Sequence, residues 1–185
     1  MTLTVDQPTP TPSADVCAEP DSLDALVASL PERDLTQDEL LTIAQRLAER
    51  PHLWRDLVAF DDDRRHFVQL HRDGHVDIWL LCWTPVNDTG WHDHDVSSGA
   101  VAVAGGALVE HDLVLGGESN ERVVTTGGSW AFGPDHIHRM TGLDDRSVSV
   151  HAYSPPLWRM GQYTADGGVL RRVSRSYADE LRPID

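Results

Sequence analysis

Cysteine is nearly absent from this chain. The two residues, Cys17 and Cys82, sit in unlike surroundings, a Pro/Thr-rich leader and an apolar run, and cannot build a disulfide framework. Both are expected as free thiols in a reducing cytoplasm. Basic residues are scarce too: 15 Lys/Arg against 30 Asp/Glu leave a formal charge of −15. Nucleic acid and anionic membrane surfaces need Lys/Arg to neutralise phosphate, so neither is expected as a partner. No stretch approaches the roughly 18–20 apolar residues of a membrane span. The N-terminus MTLTVDQPTPTPSADV has neither the basic start nor the apolar middle of a signal peptide. The expectation is a cytoplasmic monomer.

What is present is enough for one core. With 185 residues, 40% of them hydrophobic, a single domain is the economical reading. Residues 1–20 hold little to bury and are expected to be a disordered tail, with the folded domain running over residues 21–185. Ser22–Leu30 and the segment after Thr36 carry apolar residues at helical spacing. Thr36 with Glu39 forms a capping box ahead of LLTIAQRLAER, and Pro51 stops that helix. From Arg65 onward the texture becomes short Val/Ile/Leu/Trp/Thr runs broken by Gly, Asp and Pro about every ten residues, the pattern of an antiparallel sandwich or barrel. The runs are His66–Leu70, Val76–Trp83, Gly99–Ala104, Ala107–Leu115, Glu121–Thr125, Ser129–Phe132 and Val148–Tyr153. Seven or eight strands behind a short N-terminal α-helical cap make an all-β protein, a small jelly-roll β-barrel.

The chemistry is concentrated in the histidines, ten in all. His92 and His94 in GWHDHD are two apart, so on a strand both imidazoles reach the same face and one point inside a barrel. One HxH pair could be two surface histidines, but a second, His136 and His138 in GPDHIHRM, narrows that reading. We take His138 as a ligand and His136 as a surface or supporting residue. Asp95 follows His94 directly and alternates outward, and Glu110 reads as a solvent-face residue. The site is therefore expected to be three neutral imidazoles without a carboxylate, which leaves a metal open positions and its full charge. Iron(II) there would activate dioxygen; zinc would give a hydrolase or isomerase. A barrel that only binds a ligand is the remaining alternative. Against it stands SVSVHAYSPP, in which Ser149, His151 and Tyr153 share a face as a polar relay.

The stretch LLCWTPVNDTGWHDHD, then IHRM, then SVSVHAYSPPL resembles the thiol dioxygenase family of cupins, the cysteine dioxygenases and their 3-mercaptopropionate-oxidising relatives. The likeness runs from about Phe67 to Leu157, with the motifs in the same order. It implies a cupin jelly-roll that holds iron(II) on His92, His94 and His138. It also implies a relay of Ser149, His151 and Tyr153 beside the metal. The implied reaction delivers both atoms of dioxygen to the sulfur of a small thiol, giving a sulfinate.

This chain departs from the family pattern. Gly99 stands where some members carry a cysteine crosslinked to the catalytic tyrosine, so no thioether is expected, and Cys82 in the apolar WLLCW strand reads as structural. With a hairpin shorter by a few residues, Gln69 falls where an arginine would clamp the substrate carboxylate, and a gapless count from Trp83 puts His66 there instead; Arg64, Arg65, Arg72 and Arg159 remain as donors, Arg159 foremost. A neutral clamp would relax selection for an amino-acid head and favour 3-mercaptopropionate over L-cysteine.

Overall fold

The computed structural model describes residues 22–114, 116–166 and 169–176. The expected tail at 1–20, Cys17 included, lies outside the described residues. Both helices form where the caps demand. Ser22 caps α1 (Leu23–Ala28), and the Thr36/Glu39 capping box opens α2 (Gln37–Ala48), with Arg33 forked onto Glu39. Leu40, Ile43, Ala44 and Leu47 recur at the helical period and are all buried, each large one stabilising the fold by about 1.5–3 kcal/mol. A short 3₁₀ turn begins at Pro51. No helix among the described residues is long and apolar enough to cross a membrane.

The strands are β1 (Phe67–Arg72), β2 (Asp77–Trp83), β3 (Trp91–Asp93), β4 (Ser98–Gly105), β5 (Ala107–Asp112), β6 (Asn120–Thr125), β7 (Ser129–Phe132), β8 (His138–Gly142), β9 (Ser147–Ser154), β10 (Arg159–Asp166) and β11 (Val169–Ser176). They form two antiparallel sheets, ordered β1-β2-β9-β4-β7 and β11-β10-β3-β8-β5-β6, the expected jelly-roll. The seven runs read from the sequence all appear. Two short strands, β3 and β8, and the closing hairpin β10–β11 do not stand out in the sequence. A three-residue strand is too short to show alternation, and VLRRVSRS in β11 has too few apolar residues to mark a buried face.

Two apolar layers explain the texture of β2 and β9. Ile78, Leu80, Cys82, Val148, Val150 and Ala152 point outward under the helical cap, together with Leu40, Ile43 and Leu47. Trp79, Leu81, Trp83 and Tyr153 point into the barrel with Phe132, Met140, Leu157 and Met160. Every residue of both strands is buried. The alternation on β9 is thus inverted relative to a surface strand: its apolar residues face the helices, and Ser149, His151 and Tyr153 face the barrel interior. At the β4–β5 turn, Gly106 has φ +72°, and a Cβ there would lie 2.4 Å from Ser147 Oγ, so only glycine lets the two sheets connect so tightly.

Candidate metal centre

The short strands missed by pattern are the ones that carry the site. β3 and β8 meet in a single register pair, His92 opposite His138, and His94 follows one residue past the end of β3. The three rings gather with centroids 4.6–5.1 Å apart, and their ligand atoms all lie within 4.8 Å of one another. All three are buried, and burial above all lowers their pKa below the usual histidine range, so each is a neutral imidazole at pH 7. Both ring nitrogens of His94 and Nε2 of His138 are buried without a hydrogen-bond partner. Buried polar atoms are normally satisfied. A divalent cation among them would take up one nitrogen of His94 and Nε2 of His138, so the residues fit a metal, as the sequence leads one to expect.

Glu110 overturns its sequence reading. It is fully buried rather than on a solvent face: Oε1 accepts from Trp130 Nε1 at 2.7 Å and lies 2.7 Å from His138 Nδ1 and 3.2 Å from His136 Nε2, while Arg122 holds Oε2. Burial alone would raise its pKa; hydrogen bonds from His136 and His138 and the charge of Arg122 instead hold it well below the usual carboxylate range. Glu110, His136 and His138 are close enough to suggest a second metal group. The carboxylate is already filled by four donors, however, and its approach to His138 is a hydrogen bond. His136 therefore stands behind His138, the supporting place expected for it. Alternation from Leu108 on β5 was the signal available in the sequence; the pairing of Glu110 with Arg122 across β5 and β6 appears only in the fold.

Ser149, His151 and Tyr153 form one chain of contacts: Ser149 Oγ is 2.8 Å from His151 Nε2, and His151 Nδ1 is 3.1 Å from Tyr153 Oη. Trp83 extends it, donating Nε1–H to Ser149 Oγ at 2.8 Å. That indole can only donate, which favours one direction along the chain. Ser149 Oγ–H donates to His151 Nε2, His151 donates Nδ1–H to Tyr153 Oη, and the tyrosine hydroxyl proton points elsewhere. Tyr153 also stacks on His94 at 5.2 Å, so the relay adjoins the histidine triad.

A narrow cavity of about 30 Å³, room for two or three waters, lies between them. Its walls include Arg65, Trp79, His92, His151 and Tyr153, with Leu81, Met140, Leu157 and Met160 as the apolar part. Neither Gln69 nor Arg159 is among them. Gln69 donates to Asp77 Oδ1 at 3.0 Å, and Arg72 pairs with the same carboxylate; Arg159 is exposed. Arg65 is the cation of the cavity, its guanidinium 4.6 Å above the Trp83 ring. After burial, its charge is the next largest cause lowering the pKa of His151. Arg65 shares the parity of Phe67, whose ring packs on Trp79, a sign that it too turns inward.

Gly99 pairs with Tyr153 across β4 and β9, and a Cβ there would lie 3.0 Å from the tyrosine ring and 2.4 Å from Phe132. The missing side chain leaves the space in which Phe132 packs against His94 at 4.7 Å. Cys82 is buried on the opposite face of its sheet.

A family model described as "Cysteine dioxygenase type I" matches residues 13–166. Among solved structures, a cupin superfamily protein from Desulfitobacterium hafniense is 11% identical, with a TM-score of 0.47 over 55% of this chain and 86% of its own. A protein from Thermus thermophilus is 14% identical, with a TM-score of 0.48 over 55% and 93%. An RmlC-like cupin protein from Desulfovibrio desulfuricans is 19% identical, with a TM-score of 0.44 over 54% and 90%.

Proposed function

The chain belongs to the cysteine dioxygenase type I family, and from that premise we propose that it is an iron(II) thiol dioxygenase converting a small carboxylate-bearing thiol and dioxygen to the sulfinate. One observation carries the reading: His92, one of three buried and clustered imidazoles, lines the same narrow cavity as His151 and Tyr153 of the relay and Arg65, and buried nitrogens of His94 and His138 beside it are unsatisfied. Iron(II) on His92, His94 and His138 would supply thiolate binding and dioxygen activation, the chemistry of a histidine-rich site with open positions.

The chain's own residues do the rest. Arg65 binds the substrate carboxylate as a charge-assisted fork, a role the sequence assigned to Gln69 or Arg159. Gln69 is committed to Asp77, and Arg159 lies outside the cavity. Tyr153, turned by His151, offers its hydroxyl proton to oxygen charge developing near the triad. Leu81, Met140, Leu157 and Met160 exclude water, and the small volume favours a free thiol over a peptide. No acidic side chain among the described residues lines the cavity to receive an ammonium group. That favours 3-mercaptopropionate over L-cysteine, the ranking first drawn from Gln69 but on different ground.

Oxygen uptake by anaerobically iron-loaded protein tests this over 3-mercaptopropionate, L-cysteine and cysteamine. The expected order of kcat/KM is the order just named, with cysteamine, which has no carboxylate for Arg65, at least about tenfold behind the best substrate. Arg65→Gln should raise KM for both carboxylates and leave cysteamine unchanged. Uptake supported by none of these thiols, or activity with zinc alone, would refute the dioxygenase reading. A cysteamine preference would refute the role of Arg65.

A further inference from the structure

The three imidazoles differ in what stands behind them. His138 Nδ1 faces the Glu110 carboxylate at 2.7 Å, His92 Nδ1 faces the backbone oxygen of Gly90 at 3.1 Å, and His94 has no hydrogen-bond partner on either nitrogen. His94 is held by packing instead, against the rings of Phe132 and Tyr153. We propose that Glu110 is a positioning residue that makes His138 the anchoring ligand of a graded set, backed in turn by carboxylate, carbonyl and no acceptor. The proposal rests on the reading that these histidines hold a divalent metal.

A carboxylate is the strongest of these acceptors, and it fixes the proton of His138 on Nδ1. The Nε2 lone pair then points to the triad, and the imidazole becomes a better donor to a cation. Glu110 cannot take the metal itself. Its other oxygen accepts from Arg122 Nε at 2.5 Å, and Trp130 and His136 complete its shell, so the carboxylate is locked in place. Arg122 is fixed in turn, 4.8 Å above the Trp130 ring.

A carboxylate that merely balanced Arg122 would make the same contacts, and metal affinity separates the two roles. Full-length protein is stripped, reloaded anaerobically with Co(II) or Fe(II), and titrated against a competing chelator. Folded Glu110→Gln is expected to bind about 10–100-fold more weakly than wild type. Arg122→Gln removes a partner from the other oxygen and spares the His138 contact, so its affinity should stay within about threefold although it also loses thermal stability. Equal weakening in both variants, or Glu110→Gln within about twofold of wild type, overturns the proposal. Two-bond ¹⁵N–¹H spectra of zinc-loaded wild type give a second reading: His138 protonated at Nδ1 supports the assignment. The opposite tautomer overturns it even where Glu110→Gln fails to fold. Wild-type protein that binds none of these metals would sink the metal reading and this proposal with it, whereas retained metal in Glu110→Gln sinks only the proposal.

Discussion

At the scale of single residues, the relay makes the most direct prediction. Tyr153→Phe keeps the ring that stacks on His94 and removes the hydroxyl, so kcat should fall by roughly ten- to a thousandfold with metal content unchanged. Trp83→Phe removes the donor that favours one orientation of Ser149, and it should lower kcat by less than Tyr153→Phe does. Loss of metal in Tyr153→Phe would mean that the tyrosine supports His94 more than it serves the reaction. Gly99 gives a second prediction. With glycine at 99 beside Tyr153, and Cys82, the cysteine among the described residues, on the far face of the sheet, the intact mass should be that of the unmodified chain. A deficit of two hydrogens that vanishes in Tyr153→Phe would contradict it. The HxH motif and the Ser-His-Tyr spacing are legible because both follow strand alternation. Glu110 is misread because charge suggests solvent, and only partners from other strands say otherwise.

At the scale of elements, β3 depends on the closing hairpin. Asp93 lies between His92 and His94 and faces the other way. It accepts from Gly161 N at 3.0 Å, Tyr163 Oη at 2.5 Å and Arg172 Nε at 2.7 Å. Arg172 lies beyond the family match, which ends at residue 166. Burial would raise the pKa of Asp93, but hydrogen bonds from Arg172 and Tyr163 bring it down to about 2. The folded value is below the unfolded one, near 3.9, so the stabilisation is fully present above the unfolded value and is lost as pH falls toward 2. It amounts to at most about 3 kcal/mol, less whatever solvent screens at the partly exposed Arg172. Urea unfolding between pH 7 and pH 2.5 should show a shallower acid limb in Asp93→Asn than in wild type. Identical limbs would remove Asp93 as the anchor of the ligand strand.

At the scale of the whole molecule, the barrel buries four imidazoles in neutral form: His92, His94, His138 and His151 all have pKa values lowered chiefly by burial. Their folded values lie below the unfolded value of about 6.5. The unfolded chain therefore takes up protons first, and the metal-free protein should lose stability as pH falls below about 6.5. Metal should add about 2.7 kcal/mol when present at a hundredfold excess over its Kd, and less in acid because protons compete for the same nitrogens. Thermal scans at pH 7.5 and 5.5, with and without Co(II), check both statements. A metal-free Tm equal at the two pH values would show that these histidines are not held neutral by the fold.

The sequence by itself determined the periodicities: the capping box and helical spacing of the cap, the alternation of β2 and β9, and the spacing of histidines two apart in HDH and HIH. These are local, set by backbone geometry within a few residues, and so they can be read along the chain. Tertiary structure decided the rest. The pairing of β3 with β8 brought His92 opposite His138. The contact of β5 with β8 put Glu110 behind that ligand, and the stem before β1 turned Arg65 rather than Gln69 into the cavity. Each depends on register between strands distant in sequence, and whether a charge ends in solvent or against a buried partner is fixed only when those strands meet.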